Sequence, residues 1–277
     1  MIEGKRVCVT GGAGSIGSEI VRQLAPKNEV FILDTNETEF FNLYEELRLK
    51  NYAVSGVVGD VRQRGAFEHM AKKLGKPDYL FHAAALKHVT PSGWSPEEYV
   101  HTNVGGTLNA LRFADKYACR MVNVSTDKAV YPNSIMGATK RLTEIATRDA
   151  GQVSVRFGNV MGSRGSVLEI WQRQIDQGQP LTITDERMER YMMTIPEAVR
   201  LVIRAAEVGK PGQLLILDMG ERVNILKLAK QILNKSRKDL EVEVIGIRPG
   251  ETLTETLMTP EEQAHASKEE GFWVLEP

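Results

Sequence analysis

"VTGGAGSIGSEI", Val9 to Ile20, is the stretch from which the fold can be read. It follows an apolar run, "RVCVT" (6–10), and leads into a helical pattern, "SEIVRQLA" (18–25). Gly12, Gly14 and Gly17 satisfy G-x-G-x-x-G, and Gly11, Gly14 and Gly17 satisfy G-x-x-G-x-x-G. Glycines permit a tight turn and let backbone N–H groups approach a pyrophosphate at a helix start. Ser15 and Ile16 lie within the same turn. The next strand pattern, "EVFILD" (29–34), ends on Asp34. A carboxylate there accepts hydrogen bonds from ribose hydroxyls and repels a 2′-phosphate. No Arg or Lys follows in "DTNETEFF", so NAD is favoured over NADP. A glycine motif alone is a weak signal; strand, helix and terminal acid together predict a dinucleotide site.

Strand and helix patterns continue to alternate beyond this unit. "ETEFFNLYEELRLK" (37–50) reads as a helix, and "AVSGVVGD" (53–60) and "DYLFHAAA" (78–85) read as strands. Helices are expected near 63–74 and 96–117, then strands "RMVNVS" (120–125) and "VSVRF" (153–157). Apolar strands separated by helices imply βαβ units with right-handed crossovers, hence an α/β, doubly wound parallel sheet of the Rossmann type. Asp60 and Val61 end the third strand and would border the adenine. Ala83, Ala84 and Ala85 end the fourth with the small side chains a close cofactor contact requires. After Gly158 shorter strands ("PLTIT" 180–184, "QLLILD" 213–218, "EVEVIG" 241–246) mix with helices near 165–178, 196–208 and 224–235. Residues 1–160 are therefore predicted as the NAD-binding domain. Residues 161–277 are predicted as mainly a smaller mixed α/β substrate lobe, with some elements returning to the sheet.

The totals narrow the function classes. The chain has 277 residues, 42% hydrophobic and 26% charged, and a formal net charge of -1. That charge argues against a nucleic-acid partner, which needs a basic excess. No apolar run approaches the length of a membrane span, so no membrane partner is expected. Cys8 and Cys119 do not make a disulfide framework, which suits a reducing, cytoplasmic setting. No metal site is predicted.

Seven motifs occur in order along nearly the whole chain: "TGGAGSIG", "GDV", "HAAALKHV", "STDKAVYP", "MGATK", "RFGNVMGSRGSV" and "IRPGETLTE". Together they resemble the extended short-chain dehydrogenase/reductase superfamily. More narrowly, they look like its UDP-N-acetylglucosamine 4,6-dehydratases of polysaccharide biosynthesis. In most short-chain dehydrogenases a Tyr stands four residues before the catalytic Lys; here that position is Met136, before Lys140. The dehydratase group includes both Tyr and Met forms. Some relatives carry N-terminal membrane spans, so this chain would be a soluble form.

The resemblance implies a reaction. The C4 hydroxyl of the sugar is oxidised with NAD, the C5 proton leaves, the C6 hydroxyl departs as water, and hydride returns to C6. It implies that Thr126 meets the C4 hydroxyl and that Asp127, protonated, is the acid at C6. Lys128, neutral, would be the base at C5, and Lys140 would bond the nicotinamide ribose. Tyr131 is an alternative, displaced base. Met136 would line the sugar pocket. Asn159, Arg164, Ser166, Arg190 and Arg248 are the candidates for a nucleoside diphosphate, because guanidinium groups bind phosphate bidentately. Glu251 would accept from the uridine ribose, and Lys87, with His88 beside it, would approach the sugar. The partner is thus a UDP-sugar, and a homo-oligomer is expected. Two rival readings share the cofactor site: a UDP-sugar 4-epimerase, and a non-catalytic NAD-binding regulator. The C5 configuration of the product stays open.

Overall fold

The structure, a computed structural model, describes residues 2–277. β1 (Arg6–Thr10), α1 (Ser15–Leu24), β2 (Glu29–Asp34), α2 (Glu37–Arg48), β3 (Val54–Val58), α3 (Arg64–Leu74) and β4 (Tyr79–His82) alternate as the sequence pattern indicates. Two short helices, α4 (Val89–Trp94) and α5 (Pro96–Tyr99), precede a π-helical turn (Val100–Gly105) and α6 (Gly106–Tyr117). β5 (Arg120–Val124), α7 (Ile135–Asp149) and β6 (Val153–Arg156) follow. The second half runs β7 (Asn159–Met161), α8 (Val167–Asp176), β8 (Leu181–Ile183), β9 (Glu189–Thr194), α9 (Ile195–Val208) and β10 (Leu214–Leu217). It ends β11 (Arg222–Asn224), α10 (Ile225–Ser236), β12 (Val242–Val244), α11 (Pro260–His265), β13 (Ser267–Glu269) and β14 (Phe272–Leu275).

The central sheet has nine strands in the order β3-β2-β1-β4-β5-β6-β10-β14-β13. Pairings from β3 to β10 are parallel; β14 is antiparallel to both β10 and β13. Strand order reverses between β1 and β4, which opens a crevice at their carboxyl ends. Each strand feeds both faces, because successive side chains point to opposite sides. Val7, Val9, Ile32, Phe81 and Val122 enter one core, shared with Ile20, Leu47 and Val202 of the helices. Cys8, Phe31, Leu33, Leu80 and Met121 enter the other, with Phe67, Met70 and Phe113. Fully burying one such large side chain contributes roughly 1.5–3 kcal/mol.

A third core lies outside the sheet. Trp171 and Ile175 of α8 pack with Leu181 and Ile183 of β8, and with Ile225, Ala229 and Leu233 of α10. β11, β9 and β7 form a three-stranded sheet, and β12 pairs with β8. The second half is interleaved with the first: α9 packs on the central sheet through Val199 and Val202, and β10, β14 and β13 extend it. Among the described residues no helix is long and apolar enough to cross a membrane.

The helix expected over 96–117 is divided. Its middle turn is π-helical and brings Asn103 inward to 1% exposure. The Asn103 amide accepts the Leu86 N–H at 2.8 Å and donates to Leu86 O and Thr139 Oγ1, each at 3.0 Å. A buried amide needs those partners, and widening one turn supplies them.

Candidate active site

The glycine turn is tight enough to test for a dinucleotide. Gly11 has φ +63°, and a Cβ on it would stand 2.7 Å from the Ala84 Cα. A Cβ on Gly17 would stand 2.0 Å from the carbonyl oxygen of Gly11. Gly14 caps α1, and no side chain caps that helix in its place. Asp34, at the end of β2, accepts from Ala13 N at 2.8 Å and from Asn36 N at 2.9 Å. Small residues, an open helix start and an acid at the second strand end suit a dinucleotide laid over the turn. Val61 is buried, and Asp60 is held by Arg62, whose Nε donates at 2.7 Å.

β5 delivers the second constellation. Thr126 caps a short 3-10 turn over Asp127–Ala129, and its Oγ1 donates to Asp127 Oδ1 at 2.9 Å. Lys128 Nζ lies 3.1 Å from Asp127 Oδ1, 3.0 Å from Glu255 Oε1 and 3.3 Å from Asn159 Oδ1. α7 packs directly on this turn: a Cβ on Gly137 would stand 2.4 Å from Lys128 O. Lys140, buried in α7, donates to Val124 O, and burial lowers its ammonium to about 8.

The reaction implied by the sequence has Asp127 protonated and Lys128 neutral when they act; at rest the pair is charged. Burial pushes both toward the uncharged forms, yet it loses to contact. The Lys128 charge holds the Asp127 carboxyl below the usual range, and Asp127 and Glu255 hold the Lys128 ammonium above its usual range. Without ligand the two form an ion pair. The extra contributor, Glu255, has a carboxyl raised to about 7, chiefly by burial.

Asp127, Lys128, Tyr131, Asn159, Arg248 and Glu251 share the lining of one cavity of about 300 Å³ with Arg190 and Glu255. Tyr131 is 58% exposed at its edge. Several candidates stand elsewhere. Met136 is 2% exposed in the first turn of α7 and is no part of the cavity wall, because α7 turns it inward. Arg164 reaches the glycine turn instead, donating to Ala13 O and to Glu39 at 3.0 Å. Its backbone N–H also donates to Ser15 Oγ at 3.0 Å. Lys87 donates to Arg164 O at 2.7 Å, and His88 packs against Gly165. Arg190 is 7% exposed and its guanidinium already donates to the carbonyls of Glu189, Thr252 and Leu253. Arg248 is exposed on the cavity wall, and its backbone N–H donates to Glu251 at 3.2 Å. Ser166 starts α8, and its Oγ is buried with no partner among the described residues.

Three functional-looking residues escaped sequence reasoning. Glu255 ends the motif "IRPGETLTE" but, like Asn103, meets its partners through distant contacts that sequence does not show. Arg156, 0% exposed, joins Glu144 of α7 to Glu262 of α11, with N···O distances of 2.7 Å to each. It also donates to Leu257 O at 2.9 Å, two residues beyond Glu255.

Fold and cradle define a doubly wound α/β protein of the Rossmann type, with a glycine turn that suits a dinucleotide. More particularly, the chain belongs to the polysaccharide biosynthesis protein family, which it matches over residues 7–277. It is 44% identical over 283 residues to the "Probable polysaccharide biosynthesis protein EpsC" of Bacillus subtilis, covering 96% of this chain and 47% of that protein. The chain spans about half the length of the curated relatives it first matches. Among solved structures it resembles Pen from Bacillus thuringiensis, with a TM-score of 0.93, 33% identity, and coverage of 98% of this chain and 88% of that one. It also resembles the Thermus thermophilus UDP-glucose 4-epimerase in complex with NAD, with a TM-score of 0.78, 26% identity, and coverage of 94% and 92%.

Proposed function

We propose that this chain is an NAD-dependent nucleotide-sugar 4,6-dehydratase acting on UDP-N-acetylglucosamine. The observation that carries the reading is the buried contact of Asp127 with Lys128 on the wall of the cavity. Elimination of water needs an acid and a base side by side. Simple epimerisation at C4 has no use for that pair.

Bound NAD would accept hydride from C4 and give it back at C6. The chain's own residues do the rest. Gly11, Gly14 and Gly17 with the start of α1 seat the pyrophosphate, and Asp34 takes the adenosine ribose. Lys140 would bond the ribose of the nicotinamide, and Thr126 would meet the C4 hydroxyl. A direct proton shift from Lys128 to Asp127, across 3.1 Å, turns the ion pair into a neutral amine and a carboxylic acid. Those are the two forms the chemistry requires. Lys128 then takes the C5 proton, and Asp127 gives its proton to the C6 oxygen as that bond breaks. As hydride reaches C6, Lys128 gives a solvent-exchanged proton back to C5, and the proton released from the C4 hydroxyl by way of Thr126 restores the pair.

Ser166 Oγ and the start of α8 suit one phosphate of the nucleotide. Arg248 and Glu251 serve the UDP end of the cavity. The test is the product formed from UDP-N-acetylglucosamine in deuterated water, followed by NMR. Water loss with a deuterium at C5 supports the reading. An inverted C4 hydroxyl with C6 intact would establish the 4-epimerase reading, to which the likeness to the Thermus enzyme lends weight.

A further inference from the structure

Glu255 closes the "IRPGETLTE" motif without a role read from the sequence, yet the fold carries it to the wall of the cavity. Both of its flanks are pinned. On one side Arg190 donates to Thr252 O at 2.8 Å and to Leu253 O at 3.0 Å, and Glu189 N donates to Leu253 O at 2.9 Å. On the other, buried Arg156 donates to Leu257 O at 2.9 Å. The side chain between them is 8% exposed.

Its surroundings are charged on every side. Lys128 Nζ stands 3.0 Å from its Oε1, and Arg190 Nε stands 3.5 Å away. Its carboxyl and that of Asp127 meet the same ammonium, Lys128 Nζ, at 3.0 and 3.1 Å, so the two stand side by side. Asp127 Oδ2 and Glu255 Oε2 are both buried and both lack a donor. Two ionised carboxylates are acceptors only and cannot satisfy each other. One proton between them supplies the missing donor and relieves the repulsion of like charges.

We propose that Asp127 and Glu255 form a proton-sharing carboxyl pair. Glu255 is the positioning residue that holds the shared proton for Asp127, which gives it to the leaving C6 hydroxyl. The inference rests on the dehydratase reading for its chemistry. Asp127 beside Lys128 alone would stay ionised, because a single ammonium contact favours the anion. The proton that leaves Lys128 rests chiefly on Glu255, whose carboxyl burial and the Asp127 charge raise, and Asp127 relays it. The proton then passes to the C6 oxygen as the C6–O bond breaks with its electron pair. The C5–H electrons form the new C5=C6 bond, and the C5 proton goes to Lys128. Water leaves, and the three side chains hold the same number of protons as before.

Two measurements on the full chain test this. First, the Glu255 carboxyl carbon is followed by ¹³C NMR against pH, assigned by its absence from Glu255→Gln. It should titrate well above an ordinary glutamate, and return toward the ordinary range in Asp127→Asn. Titration as an ordinary glutamate, or no response to Asp127→Asn, overturns the shared proton whatever the reaction proves to be. Second, Glu255→Gln should keep UDP and NAD affinity and C4 oxidation. It should lose water elimination by about a hundredfold or more, the usual scale for a displaced general acid. Glu255→Asp should recover part of that loss. Elimination at the wild-type rate in Glu255→Gln overturns the proposal; wild-type protein that forms no dehydrated sugar overturns the dehydratase reading instead. If Glu255→Gln does not fold, Glu255→Asp serves for assignment and the Asp127→Asn titration decides.

Discussion

The carboxylate of Asp34 accepts the backbone N–H of Ala13 at 2.8 Å, tying the end of β2 to the glycine turn that follows β1. Asp34 also accepts from Asn36 N at 2.9 Å, and on the proposed reading its remaining lone pairs take the adenosine ribose. A 2′-phosphate would bring negative charge against it. NAD should therefore bind stripped protein more tightly than NADP, and Asp34→Arg should shift the preference toward NADP. Fluorescence titration of both cofactors checks this; equal or reversed wild-type affinities would sink it.

The acid–base work is expected at Asp127 and Lys128, with Met136 as packing. Met136→Ala should cost about 2–5 kcal/mol of stability, as for other large-to-small core changes, and keep measurable dehydration. Lys128→Ala should still oxidise C4 and then stall. Absorbance of the reduced cofactor should build up, and deuterium exchange at C5 should vanish. Dehydration at the wild-type rate in Lys128→Ala would move the base elsewhere, with Tyr131 the next candidate.

Arg190 and Arg248 should separate, although their residue type is the same. Arg248 is exposed on the cavity wall, so Arg248→Ala should weaken UDP binding by about tenfold or more, ~1.4 kcal/mol, with NAD affinity unchanged. Arg190 spends its donors on the carbonyls that hold the Glu255 segment. Arg190→Ala should lower the melting temperature and dehydration together. Calorimetric titration and thermal unfolding of both variants decide; a stable Arg190→Ala that only loses UDP affinity would return Arg190 to the diphosphate.

His82 makes the fold sensitive to acid. Its Nδ1 lies 2.7 Å from Thr10 Oγ1 and its Nε2 3.1 Å from Thr107 Oγ1. Burial first, then the Lys140 charge, hold the imidazole down at about 3. In the unfolded chain it titrates near 6.5. Between those values the unfolded state binds more protons, so stability falls as pH drops from about 6.5 toward 3. Denaturant unfolding against pH should show a shallower fall for His82→Gln than for wild type. Identical slopes would remove His82 from the account.

The sheet and the cofactor turn were legible in the sequence because their causes are local. Apolar alternation in "RVCVT" and "EVFILD", and glycines where a Cβ would strike backbone, depend on neighbours a few residues apart. The Thr126–Asp127–Lys128 triplet was legible for the same reason: it is contiguous. What needed tertiary structure were the charges and partners. Only folding brings Glu255 to within 3.0 Å of Lys128, across 127 positions of chain, and sets Arg164 on Ala13. Residue types alone left Arg190 a phosphate ligand and did not give the resting charge of Lys128. The packed chain makes Arg190 a clamp on buried carbonyls, and keeps Lys128 charged because two carboxylates at contact distance outweigh burial. Electrostatic state is a property of distances in a low-dielectric interior, and those distances arise from the fold as a whole.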